Sequence, residues 1–137
     1  MTKITRRKSR ESAVIILYQC DLLEKDVEYI IDMEILFGRK PDEFTKILVR
    51  GVYLNKDKID KEIVNVVKNW SFDRIAIIDR NIIRMAVFEM LFLDEIPLKV
   101  SVDEAIEISK SLGQKDDTPK FVNGVLGKIL TQLEEAV

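Results

Sequence analysis

The chain contains no histidine and a single cysteine, Cys20. Without histidine there is no imidazole general acid–base catalysis, no catalytic triad and no histidine metal site. One cysteine supports neither an intrachain disulfide framework nor a Cys-rich zinc site. Cys20 falls on the apolar side of an expected helix, where it reads as a small buried hydrophobe, and such usage fits a reducing, cytoplasmic setting. Glycine and proline are also scarce, at five and three residues, too few for a turn-rich β fold. With 47% hydrophobic and 34% charged residues, the composition is that of a globular chain rather than a disordered one. A length of 137 residues suits one domain, with an N-terminal lobe of about 1–70 and a C-terminal lobe of about 71–137 sharing a core. The basic N-terminus is followed by an interrupted apolar run with no small-residue cleavage site, so no targeting segment is expected.

Long apolar runs are rare too, with one exception between Ile75 and Asp94. Met85, Ala86, Val87 and Phe88 form one block and Met90, Leu91, Phe92 and Leu93 another, separated by Glu89. At 3.6 residues per turn these eight side chains surround the helix, which marks it as buried on nearly every side. Asp79, Arg80, Arg84 and Glu89 would be costly in a bilayer, so the segment is the spine of a helical domain. A lone carboxylate in such a run is expensive if buried unpaired. Glu89 must meet a cation or emerge on an exposed strip, and the strip, facing a protein partner near Tyr18, is the expectation.

The remaining periodicity is helical throughout. A first helix from Thr5 or Ser9 to Leu23 carries Ala13, Ile16, Leu17, Cys20 and Leu23 on one face. A short one from Val27 to Phe37 ends at Gly38 and Pro41. From Asp42 the next carries Phe44, Ile47, Leu48 and Val52, with Gly51 permitting close helix contact. Asp57 is placed to cap a fourth, striped by Ile59, Ile63, Val66, Val67 and Trp70, where Trp70 reads as a core anchor rather than a base-stacking platform. After the spine, which stops before Pro97, Ser101-Val102-Asp103-Glu104 spells a capping box for a helix with Val102, Ala105, Ile106 and Leu112 inward and Gly113 as its stop. Thr118-Pro119 opens the last helix, striped by Val122, Val125, Leu126, Ile129 and Leu133. The expected fold is an all-α bundle of seven helices, with no strand and no internal repeat.

Charge is unevenly placed. Lys3, Arg6, Arg7, Lys8 and Arg10 all precede Glu11, the first acid; the other 17 basic residues face 24 acidic ones, so the tip carries +5 and the remainder −7. Cations at a helix N-terminus oppose the macrodipole at roughly 0.3–1 kcal/mol each. Arginines beside outward-pointing backbone N–H groups suit phosphate, against the alternative of a merely solvated basic end. In the first turn of the last helix, Lys120, Phe121 and Asn123 offer a cation, a ring and an amide that could bind a phosphate, stack a base and read a base edge, unless Phe121 simply covers the core edge. Other spellings fail on context. Asp116-Asp117 is turn chemistry, Gly124-Val125-Leu126-Gly127 lacks the surroundings of a KH loop, and Gly127-Lys128 lacks the spacing of a P-loop.

Three blocks together resemble the NusB family of transcription antitermination proteins. They are Arg6-Arg7-Lys8-Ser9-Arg10-Glu11-Ser12-Ala13 leading to Leu17-Tyr18; Asp79-Arg80-Asn81-Ile82-Ile83-Arg84-Met85-Ala86-Val87-Phe88-Glu89-Met90 followed by Ile96-Pro97; and Val102-Asp103-Glu104-Ala105 with Lys120-Phe121-Val122-Asn123-Gly124-Val125-Leu126. The resemblance runs nearly end to end. It implies two three-helix lobes plus a short helix, no catalytic activity, and no cofactor or metal. It also implies binding of the boxA element of leader and ribosomal RNA transcripts together with NusE, a small-subunit ribosomal protein, within an antitermination complex on RNA polymerase. By the same resemblance Arg6, Arg7, Arg10, Lys120, Phe121 and Asn123 are RNA contacts, and Tyr18 and Glu89 hold NusE. A homodimer hiding the basic face, through Tyr18 or exposed apolar patches, is left open. The Gly113–Pro119 loop is one residue longer than the usual pattern, and Phe88 stands where tyrosine is common. A similar helical domain precedes certain rRNA cytosine-5 methyltransferases, but the chain ends at Val137 without a nucleotide-binding fold. A protein-interaction adaptor with a solvated basic end is the other rival.

Overall fold

The computed structural model describes residues 5–68 and 71–136. Lys3 and Trp70 lie outside the described residues. Among the described residues seven α-helices follow one another: α1 (Arg6–Leu23), α2 (Val27–Leu36), α3 (Glu43–Leu54), α4 (Lys56–Val66), α5 (Ile77–Phe92), α6 (Leu98–Leu112) and α7 (Thr118–Glu135), with a 3-10 turn at Phe72–Arg74 before α5. No strand occurs among the described residues, and no described helix is long and apolar enough to cross a membrane.

The bundle is arranged around α5, which packs against α1, α3, α4, α6 and α7. From Asn81 to Met90 every residue of α5 is buried, as expected of a helix apolar all round. Gly51 on α3 makes the closest approach. A Cβ there would lie 2.0 Å from Cζ of Phe88, so the ring of α5 rests directly on the α3 backbone. Cys20 is half-buried against the core, and burial, with the charge of Asp26 behind it, pushes its thiol up to about 11.

Four helix starts show how the ends are held. Thr5 accepts from the Lys8 backbone N–H at 3.2 Å, Asp26 from Tyr29 at 2.8 Å and Asp42 from Thr45 at 2.9 Å, each satisfying an otherwise orphaned donor. At α7 Asp117 takes the cap position, so Thr118 and Pro119 fall one place further in than expected. The Thr118 hydroxyl instead donates to Asp79 Oδ2 at 3.1 Å and accepts from the Lys115 N–H at 3.0 Å. Asp79 also accepts from the Gln114 N–H at 2.8 Å, so one carboxylate at the start of α5 fixes the loop from α6 to α7.

Two expected caps are corrected. Asp57 does not cap α4; Asn55 occupies that place without a side-chain cap bond, and its amide donates to Gly51 O at 2.8 Å, joining the end of α3 to the start of α4. Ser101 does not open α6, which begins a turn earlier at Leu98 with Pro97 at the cap position. The spacing that makes a capping box also sets Ser101 and Glu104 on one helical face, and here that face turns inward.

Replacing Gly51 with Ala should destabilise the fold by about 1–3 kcal/mol through overpacking against Phe88, whereas alanine in an open helix position would be favourable. Urea denaturation measures the difference, and a Gly51→Ala protein as stable as the parent would refute the close contact.

Candidate nucleic-acid interface

The basic run at the start of α1 divides into two populations. Arg6, Arg7 and Lys8 are exposed, whereas Ser9 and Arg10 are buried. Arg6 lies over the Phe44 ring, 4.5 Å from its centroid, so a cation–π contact orients it without removing it from water. Arg7, half-exposed, pairs with Glu104 of α6. That bond, reinforced by the Glu104 charge, raises the Arg7 pKa and keeps the guanidinium charged.

Arg10 corrects two expectations at once. Its side chain is 3% exposed and that of Glu89 1%. Nε and Nη2 of Arg10 donate to the two Glu89 oxygens, both at 2.8 Å, in a planar fork of the bidentate kind that arginine favours. Ser101 Oγ adds a third donor to Glu89 at 2.9 Å, and Arg10 Nη1 reaches Glu104 at 3.3 Å. Glu89 therefore does not emerge on an exposed strip, and Arg10 is not among the exposed cations of the basic run. The physical reason is the cost of a carboxylate enclosed by apolar residues, which only a close, hydrogen-bonded cation offsets. The signal was present in the sequence: extending the α1 stripe back one turn from Ala13 and Leu17 lands on Arg10.

Two further arginines of α5 are structural. Arg80 donates twice to Asp21 at 2.9 Å, and Arg84 bridges Asp21 at 2.9 Å and Asp60 at 2.7 and 2.9 Å, tying α1 and α4 to α5. Burial alone would raise the Asp21 carboxyl, but bonds from Arg80 and Asn81 and the charge of Arg84 outweigh it and hold the pKa down at about 2.

At the start of α7, Lys120 and Asn123 are exposed and Phe121 is half-buried, packed on the core edge. Sequence spacing brings these three together in one turn. It does not bring them next to the arginines. α5 and α6 run antiparallel, with Glu89 meeting Ser101 at one end and Asp79 meeting Gln114 at the other. Arg7 is held at Glu104, eight residues before the end of α6, about 12 Å at 1.5 Å per residue, and the α7 start lies beyond that end. A ligand that uses both groups must be extended. Tyr18 is half-buried on α1, two turns beyond Arg10 on the same helix.

Glu104 was legible only as the second half of a capping box, yet it sets the position of Arg7. Among the described residues no group of three His, Cys, Asp or Glu side chains could hold a metal ion.

A helical bundle presenting cations at two separated helix starts is the geometry of a polyanion-binding domain. The chain belongs to the NusB family, whose model matches residues 7–131. It is similar to the transcription antitermination protein NusB of Bacillus licheniformis, with 46% identity over 130 residues, covering 94% of this chain and 98% of that protein. Among solved structures it is similar to T. maritima NusB, at 35% identity and a TM-score of 0.83 over 95% of this chain and 93% of that one. A chain in the crystal structure of antitermination factors NusB and NusE in complex with dsRNA matches at 25% identity with a TM-score of 0.80, covering 93% and 96%.

Arg10→Ala should cost about 3–5 kcal/mol, because it strands a buried carboxylate, while Arg7→Ala, which opens a half-exposed pair, should change stability by less than about 1 kcal/mol. Chemical denaturation of the two variants separates them; equal losses would contradict the division between buried and presented arginines.

Proposed function

We propose that this protein is an RNA-binding antitermination factor that takes a boxA-type single-stranded RNA jointly with the ribosomal protein NusE. In this role it supports rRNA transcription by RNA polymerase in the cytoplasm and catalyses no reaction. The observation that carries the proposal is the split within one basic run: Arg10 is consumed by the fold, but Arg6 and Arg7 remain exposed at the α1 start. Cations maintained there against the helix dipole, with only a half-exposed ion pair and a ring contact to offset it, suit a phosphate ligand. The name shared by the curated relatives supports an antitermination role, and the solved NusB–NusE complex with dsRNA supports RNA and NusE as partners.

In this mechanism Arg6, Arg7 and Lys120 supply salt-dependent attraction through counterion release. Phe121 supplies a stacking face and Asn123 an amide for a base edge, both of which need an unpaired base. The separation of about 12 Å along α6 between the two groups is spanned by an extended strand rather than by a single nucleotide. The acidic remainder of the surface attracts a basic ribosomal partner, with Tyr18 as a partner contact, and Glu89 serves that contact only indirectly, by fixing α1.

A titration of boxA-type RNA at several salt concentrations, with and without NusE, tests this. Arg7→Ala should lower affinity and flatten the slope of log K against log salt by about 0.7, the share of one single-strand phosphate contact. Phe121→Ala should weaken binding by about 1–3 kcal/mol with the slope kept. Wild-type binding by both variants would leave the basic tip a solvated end and the protein a pure protein-interaction adaptor.

A further inference from the structure

Between the end of α4 and one face of α7 runs a groove of about 420 Å³. Val66, Val67 and Val125, all buried, make its floor apolar, and Phe121 closes the end next to the α7 start. Lys68, Lys120 and Lys128 surround it against a single carboxylate among the described residues, Asp117. Lys120, Gly124 and Lys128 follow one another at intervals of four, so they line a single face of α7, and all three are exposed.

Nothing among the described residues accounts for Gly124. Glycine is a poor helix residue, and at Gly51 the Phe88 ring accounts for it. At Gly124 a Cβ would meet nothing within 4 Å, and the backbone is not left-handed. Gly127 is open in the same way but does not line the groove. A bare stretch of helix backbone in the middle of a cationic, apolar-floored groove suits the close approach of a flat ligand.

We propose that the RNA strand met by the first turn of α7 continues into this groove, with one nucleoside lying over Gly124 and its flanking phosphates on Lys68 and Lys128. The inference rests on RNA being the ligand of the two helix starts. An apolar floor with an aromatic wall suits a base, and a rim of lysines suits the backbone on either side of it. A basic protein segment would meet three cations and one acid there, which is the wrong sign.

The test is an RNA titration and a thermal melt on Gly124→Ala, Gly124→Leu and Gly127→Ala in the full chain, using the same boxA-type RNA. All three variants should melt at or a few degrees above the parent, since each places a better helix former in open space. The dissociation constant should rise about threefold for Gly124→Ala and tenfold or more for Gly124→Leu, and stay at the parent value for Gly127→Ala. Variants at Gly124 that are stabilised yet bind RNA like the parent overturn the groove assignment, as does weakened binding of NusE with RNA binding intact. If Arg7→Ala weakens RNA binding while the Gly124 variants do not, only the groove fails; if the parent chain binds no RNA, the proposed function fails with it.

Discussion

A buried carboxylate and the arginine that answers it set the geometry of this protein. Glu89 lies in the most apolar stretch of the chain, where a lone charge would cost several kcal/mol, and Arg10 comes 79 positions earlier to meet it in a fork of two 2.8 Å bonds. Ser101 and Glu104 complete the enclosure from α6. Three helices are thereby locked in register at one point. Because arginine's fork has a fixed plane, the pair also fixes the rotation of α1 about its axis, and that rotation decides which of its neighbours face outward.

From this one constraint the basic tip acquires its form. With Arg10 turned inward, Arg6 and Arg7 are carried outward, one resting on Phe44 and the other on Glu104. At the far end of α5 a second carboxylate, Asp79, does for the α7 start what Glu89 does for α1, by holding Gln114 and Thr118. Both groups of proposed RNA contacts are thus positioned by acids of the same helix, and their spacing is a property of α5 and α6 rather than of flexible loops.

Much of the fold was legible in the sequence because its signals are local. The spine announced itself by eight apolar residues around one carboxylate, Gly51 by a glycine in a helical stripe, and the ends of α2 and α6 by Gly38 and Gly113. The site was only half legible. Arg6, Arg7 and Arg10 look alike by residue type in a basic run; the α1 stripe singles out Arg10 as inward-facing, but nothing local names Glu89 as its partner across the core. Ser101 and Glu104 were misread for a related reason: the same three-residue spacing serves a cap and an inward-facing pair, and only the packing of α6 on α1 and α5 chooses between them. Gly124 could not be interpreted until no described residue was found to lie against it.

The most direct measurement is the salt dependence of RNA binding for the paired replacement Arg10→Met with Glu89→Leu, which exchanges the buried ions for apolar side chains and so avoids stranding either charge. With helical content retained, its slope of log K against log salt should equal that of the parent, because Arg10 touches no phosphate. A slope flattened by about 0.7, the loss of one single-strand contact, would show that Arg10 leaves the core to bind RNA, and would contradict the division on which the site is built.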